Sequence, residues 1–140
     1  MIRQAVIQDM PEILEMGKAF AGSLGIPFDE QTAVKTAGEL INSADGVLLI
    51  DDGAMAGALA YPLFFNQHIK VAQELFWWVD KEKRSNGIGI QILDALELWA
   101  ESIGASQLTM LAMHNSPTYV DNIYLANGYT PFERTFVKAF

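Results

Sequence analysis

The stretch ELFWWVDKEKRSNGIGIQ, residues 74–91, joins segments of different character. Leu75 to Val79 is a run of apolar and aromatic residues, short enough for a buried strand. Arg84 to Gly89 is polar and carries two glycines, as a turn would. Beyond it, Leu93, Leu96, Ala100 and Ile103 fall at helical spacing, and Ile92 and Trp99 widen the same face. Gly104 stops that helix. The order is therefore strand, glycine turn, helix.

This order has a chemical use. The first N–H groups of a helix have no internal acceptor, and the helix dipole makes that end positive. Gly87 and Gly89 have no side chain to hold a ligand away from those groups. Arg84 adds a permanent cation with forked donors. Together these features form a candidate phosphate or pyrophosphate site. A P-loop would place Lys and Ser or Thr after the last glycine, but Ile90 and Gln91 stand there. A dinucleotide fingerprint would need a third small residue near Ile92 and a later acidic residue, and the sequence fits neither.

The residues that remain, Arg84-x-x-Gly87-x-Gly89, match the acyl-CoA signature Arg/Gln-x-x-Gly-x-Gly/Ala. Here the chain resembles the GNAT superfamily of N-acetyltransferases. A second segment, Tyr124-x-x-x-Gly128-Tyr129, is similar to the family's Tyr-x-x-x-Gly-Phe/Tyr motif. The opening, with Ile2, Arg3, Ala5 and Asp9, also looks like a family N-terminus. One departure concerns an Asn that many members carry seven residues before the tyrosine. Position 117 is Pro, and the nearest candidate is Asn115.

Composition narrows the class. A chain of 140 residues, 51% of them hydrophobic, suits one domain with one core. No apolar run reaches the ~18 residues of a membrane span, and Met1 to Glu12 lacks a signal core. The absence of cysteine excludes disulfides, thiol nucleophiles and thiolate metal sites, and it fits a cytoplasmic protein. Two separated histidines, His68 and His114, do not suggest a metal site. A formal charge of −8 argues against nucleic-acid binding and mildly favours cationic substrates, although it also serves solubility.

In chain order, Ile2 to Ile7 reads as a strand. Asp9 is a candidate N-cap for a helix that runs to about Ala21. Asp29 caps a second helix ending near Ala44. Val47 to Ile50, the turn Asp51-Asp52-Gly53, and Ala54 to Phe65 form a hairpin, with Gly57 at a close backbone approach and Pro62 at a bulge or edge. Asn66 to His68 is a loop before the Glu74 strand. Gln107 to Met113 is a further strand, and a short helix follows Pro117 and ends at Asn127-Gly128. Tyr129 to Phe140, with Phe132, Arg134, Phe136 and Lys138 alternating, suits one or two last strands. The expected architecture is a single α/β domain, residues 1–140, with a mixed, mostly antiparallel sheet flanked by helices.

The resemblance implies more. Acetyl-CoA would enter where the Glu74 and Gln107 strands splay apart, its pantetheine arm pairing with backbone groups around Trp78 and Val79. Its pyrophosphate would sit on the N–H groups from Ser85 through Asn86, Gly87, Ile88 and Gly89 to Ile90, beside Arg84. Phe20, Leu24 and Phe28, between the first helices, would help shape the acceptor pocket, or serve only as core. Glu74, beside Phe76 and Trp78, is the candidate base for the amine, directly or through water, with His114 as an alternative. Tyr124 is the candidate acid for the leaving thiolate. The bland readings are a solvated strand-end glutamate and a core tyrosine. The implied function is acetyl transfer from acetyl-CoA to a primary amine of a small molecule or peptide. The alternative is a non-catalytic domain that holds CoA or a partner protein. The apolar last strand can pair across a homodimer or close the monomer's own sheet.

Overall fold

The computed structural model describes residues 1–140. Backbone contacts divide the chain into two compact units, Met1–Thr109 and Met110–Phe140. The first holds a five-stranded sheet in the order β1-β2-β3-β4-β5. Its strands are β1 (Arg3–Gln4), β2 (Gly46–Asp51), β3 (Ala54–Leu63), β4 (Asn66–Val79) and β5 (Leu108–Thr109). Pairing is antiparallel from β1 to β4, and β4 and β5 are parallel. Parallel neighbours need a crossover, which α3 (Ile88–Ser102) provides. Helices α1 (Met10–Ser23) and α2 (Glu30–Asn42) link β1 to β2. The second unit contains α4 (Thr118–Ala126). No helix is long and apolar enough to cross a membrane.

Alternation along β3 assigns the two faces of the sheet. Ala54, Ala56, Ala58 and Ala60 share one face, and all are buried. Their small side chains let α3 lie close, with Ile92, Leu93 and Leu96 wholly removed from solvent. On the other face, Met55 joins Leu48 and Ile50 of β2 in a core with Ile13 and Met16 of α1 and Ala37 and Leu40 of α2. Phe76 and Trp78 pack against that core. Each large apolar side chain buried in this way contributes about 1.5–3 kcal/mol.

Gly57 is where the sheet is tightest. A Cβ there would lie 2.5 Å from the Phe76 ring. The register also slips at this point: Gly57 opposes Phe76 but Ala58 opposes Glu74, which leaves Leu75 as the extra residue of a bulge. The bulge corrects one sequence expectation. Glu74 lies on the alanine face with Ala58, whereas Phe76 and Trp78 lie on the opposite face with Gly57 and Met55. The inserted residue breaks the alternation that would have placed all three together.

Other boundaries also differ from expectation. Asp29 caps α2, accepting the Thr32 N–H at 2.9 Å. Asp9 precedes α1 but makes no side-chain cap. It takes both terminal nitrogens of Arg3 at 2.7 Å and the Val6 N–H at 2.8 Å. A fixed fork from Arg3 thus holds this carboxylate in place of the α1 N-terminus, and the first strand is only Arg3–Gln4. β4 begins at Asn66, not after His68, so the turn falls at Phe64-Phe65. The strand expected over Gln107 to Met113 is only Leu108–Thr109. Tyr129 to Phe140 forms no strand. One side of such a strand would have mixed Arg134 and Lys138 with Phe132 and Phe136, giving no apolar face to bury. Instead Arg134 stacks over the Phe136 ring at 5.6 Å.

Two measurements check this account. Gly57→Ala is expected to lower stability by about 1–3 kcal/mol in urea unfolding, because the Phe76 ring must move. The carboxyl of Asp9 is held down to about 2 from 3.8, first by the Arg3 hydrogen bond and then by Val6. Its contribution is therefore full above pH 3.8 and lost as pH falls toward 2. The melting-temperature difference between wild type and Asp9→Asn should shrink across that window.

Candidate functional site: a glycine loop beside a strand that loses its partner

β4 pairs with β3 to its last residue, Val79. On its other side, the ladder with β5 holds only Ala72↔Leu108 and Gln73↔Thr109. Beyond Gln73, β3 is the only strand partner of β4. An extended ligand that adds to a sheet does so along a strand edge that lacks a neighbouring strand.

The loop that follows is pinned from two directions. The Asp80 N–H donates to the Gly53 carbonyl at 2.8 Å, and Lys83 pairs with Asp52. That pair, chiefly through its hydrogen bond, raises the Lys83 pKa. Trp78 Nε1 donates to Asp80 at 2.7 Å. Arg84 folds back: its Nε donates to the Val79 carbonyl at 2.8 Å, and its guanidinium lies 5.0 Å from the Trp78 ring centre. The backbone then turns through positive φ at Ser85 (79°) and Gly87 (87°). Ser85 is the only non-glycine residue with positive φ, so the loop holds strain at this point.

α3 starts directly after this turn. The Ile88 N–H is taken by the Asn86 side chain at 3.1 Å, and the Gln91 N–H by the Gly87 carbonyl at 3.2 Å. The N–H groups of Gly87, Gly89 and Ile90 find no backbone acceptor. Gly87 is required by its φ, since a Cβ there would meet nothing within 4 Å. Gly89 has ordinary φ, and a Cβ there would come no nearer than 3.4 Å to the Trp77 ring. Packing thus leaves room for a side chain at Gly89. Close approach of a ligand to the N–H groups gives the missing side chain a purpose. These residues fit the pyrophosphate of a CoA-type donor chemically: several N–H donors, a helix N-terminus and one arginine.

The remaining sequence-selected residues are distributed as follows. Trp78, Val79 and Arg84 to Ile90 are contiguous in the loop region. Glu74 is on the same strand and is the one buried charged residue, 5% exposed. Tyr124 belongs to the second unit, where it is 8% exposed and its hydroxyl donates to the Leu111 carbonyl at 2.7 Å. His114 and Asn115 are exposed, on a turn of the second unit closed by Ser116, whose N–H donates to the Met113 carbonyl at 2.8 Å. His68 is exposed near the start of β4. Phe20 stacks on Trp78 at 5.3 Å and also borders a cavity beneath α1 and α2. Sequence reasoning missed the latch of Asp52, Gly53, Asp80 and Lys83. The turn Asp51-Asp52-Gly53 was visible, but its partner lies about thirty residues on, and no local pattern marks it.

Comparison with known proteins gives consistent results. A model of the acetyltransferase (GNAT) family matches residues 15–129. No curated protein sequence matches the chain significantly. Among solved structures, a putative acetyltransferase from Agrobacterium tumefaciens has TM-score 0.82 at 16% identity, covering 100% of this chain and 99% of its own. A transcriptional regulator from Bacillus halodurans gives 0.82 at 17%, with coverage of 100% and 99%. A ribosomal-protein-alanine N-acetyltransferase from Brucella melitensis gives 0.75 at 19%, with coverage of 100% and 98%. At these identities the likeness shows the fold.

A substitution separates the loop's packing from its use. Gly89→Gln should leave the unfolding midpoint nearly unchanged, because room exists for its Cβ. The CoA concentration needed for half-maximal thermal stabilisation should rise at least about tenfold, or ~1.4 kcal/mol.

Proposed function

Because the chain belongs to the acetyltransferase (GNAT) family, we propose that it transfers the acetyl group of acetyl-CoA directly to a primary amine of a small molecule or peptide. We take residues 1–140 to act as one cytoplasmic domain, since the family match crosses from the first unit into the second. The observation that carries the reading is the strained, N–H-lined turn at the start of α3, next to the part of β4 that has no β5 partner.

Acetyl-CoA supplies the acetyl group as an activated thioester. The loop from Arg84 to Ile90 binds its pyrophosphate, and the backbone at Trp78 and Val79 orients its amide arm. A main-chain N–H near Val79 polarises the carbonyl. The acceptor nitrogen forms a bond to the carbonyl carbon as the carbon–sulfur bond breaks. Glu74 takes the proton lost by the amine, directly or through water, and Tyr124 returns one to the departing sulfur. Asn115 assists in holding the donor. Apolar tail residues, Phe136 and Phe140 among them, offer a surface for a homodimer.

One observation favours a second reading, a domain that binds CoA without turnover. The Tyr124 hydroxyl is engaged with the Leu111 carbonyl, as in a tyrosine kept for packing. Two experiments separate the readings. Acetyl-CoA at ~100 times its Kd should stabilise the protein by about 2.7 kcal/mol, while ADP and NAD should do so far less. Across a panel of primary amines, acetyl-CoA should then release free thiol, with kcat reduced about a hundredfold or more in Tyr124→Phe and in Glu74→Gln. Stabilisation without thiol release from any amine would establish the binding reading.

A further inference from the structure

The side chain of Arg84 turns back onto the end of β4. We propose, resting on the acetyltransferase reading above, that Arg84 is a positioning residue for the amide arm of the donor, acting through the Val79 carbonyl, and that lysine cannot replace it.

The register of β3 and β4 shows which way Val79 points. Ala54 stands opposite Val79, and the bond between the strands there runs from the Asp80 N–H to the Gly53 carbonyl, one residue beyond each. Residues opposed in this way exchange no main-chain hydrogen bonds with each other. The N–H and carbonyl of Val79 therefore point away from β3, toward the side where β4 has no strand neighbour. The donor's arm pairs on that side. Arg84 Nε donates to this same carbonyl at 2.8 Å. The last carbonyl of β4 is thus taken by the protein itself, and pairing with the arm ends there.

The guanidinium is fixed from other directions as well. Its carbon lies 5.0 Å from the centre of the Trp78 ring, a cation–π contact. That ring is itself held, by Nε1 donating to Asp80 at 2.7 Å and by the Phe20 ring at 5.3 Å. The Arg84 N–H reaches back to the Asp80 carbonyl at 3.2 Å. Main chain and side chain together tie Arg84 to the end of the strand. The strained Ser85 comes next, followed by the N–H groups of Gly87, Gly89 and Ile90. One residue therefore sets the end of the arm's edge against the start of the pyrophosphate's donors. Lysine keeps the charge, but it has no Nε donor and no planar face to lay on the ring.

Arg84→Lys tests this with two donors. S-acetylpantetheine carries the arm and the thioester but no phosphate. In the variant, kcat/KM should fall at least about tenfold for acetyl-CoA and for S-acetylpantetheine, by similar factors, while the KM of the amine stays as in wild type. Arg84 is exposed, and Arg84→Gln is the second variant if the first folds poorly. A loss confined to acetyl-CoA would overturn the inference, because Arg84 would then serve the phosphates alone. Full activity with both donors would overturn it too, and so would an equal rise in the KM of the amine, which marks general damage to the site. Failure of the parent reading looks different: wild type releases no thiol from any amine. Pantetheine binding then decides. The concentration for half-maximal thermal stabilisation should be at least about tenfold lower in wild type than in Arg84→Lys. Equal thermal responses to pantetheine, or none in either protein, would overturn the inference.

Discussion

The structure depends on β4 being paired fully on one side and only briefly on the other. An internal strand normally satisfies its main chain on both edges. Here β3 holds β4 from Asn66 to Val79, while β5 holds only Ala72 and Gln73. The departure coincides with the bulge at Leu75, where an extra residue increases local twist. One strand thus serves as a structural member through its β3 edge and has no strand neighbour beyond Gln73 along the other.

Everything around β4 keeps that arrangement rigid. Gly57 lets the Phe76 ring approach β3 closely, and alanines on the reverse face let α3 pack close. α3 thereby starts at the end of β4, after a turn fastened to the β2–β3 hairpin through Gly53, Asp80, Lys83 and Asp52. The strained Ser85 and the left-handed Gly87 shape the turn that opens α3. Strain of this kind persists only when the surroundings over-determine it, and the latch supplies that constraint. The apolar cavity on the opposite face follows from the same economy of small side chains, at Gly17, Ala33 and Ala37.

Much of this is legible in the sequence itself. The spacing of Arg84, Gly87 and Gly89 is local, and local spacing survives translation into structure. The α3 face was readable because Ile92, Leu93, Leu96 and Trp99 repeat with the helix period, and all are buried. Asp29 capped α2 as its position implied. Asp9 did not cap α1, because Arg3 competed for the same carboxylate. The tail misled for a different reason: alternation proposes a strand, but a strand exists only where it finds a ladder and an apolar side to bury.

By itself, then, the sequence determined the order of elements, the glycine loop and the family to which the chain belongs. Each follows from neighbours within a few turns of chain, where periodicity and φ preference act. Tertiary structure alone decided which face Glu74 occupies, where β4 leaves β5, and that Asp52 and Gly53 anchor the glycine loop. It also decided that Gly17, Ala33 and Phe76 surround a common space. These facts depend on register and on contacts between distant segments. A single inserted residue at Leu75 reverses a side chain's direction without leaving a mark in the local pattern.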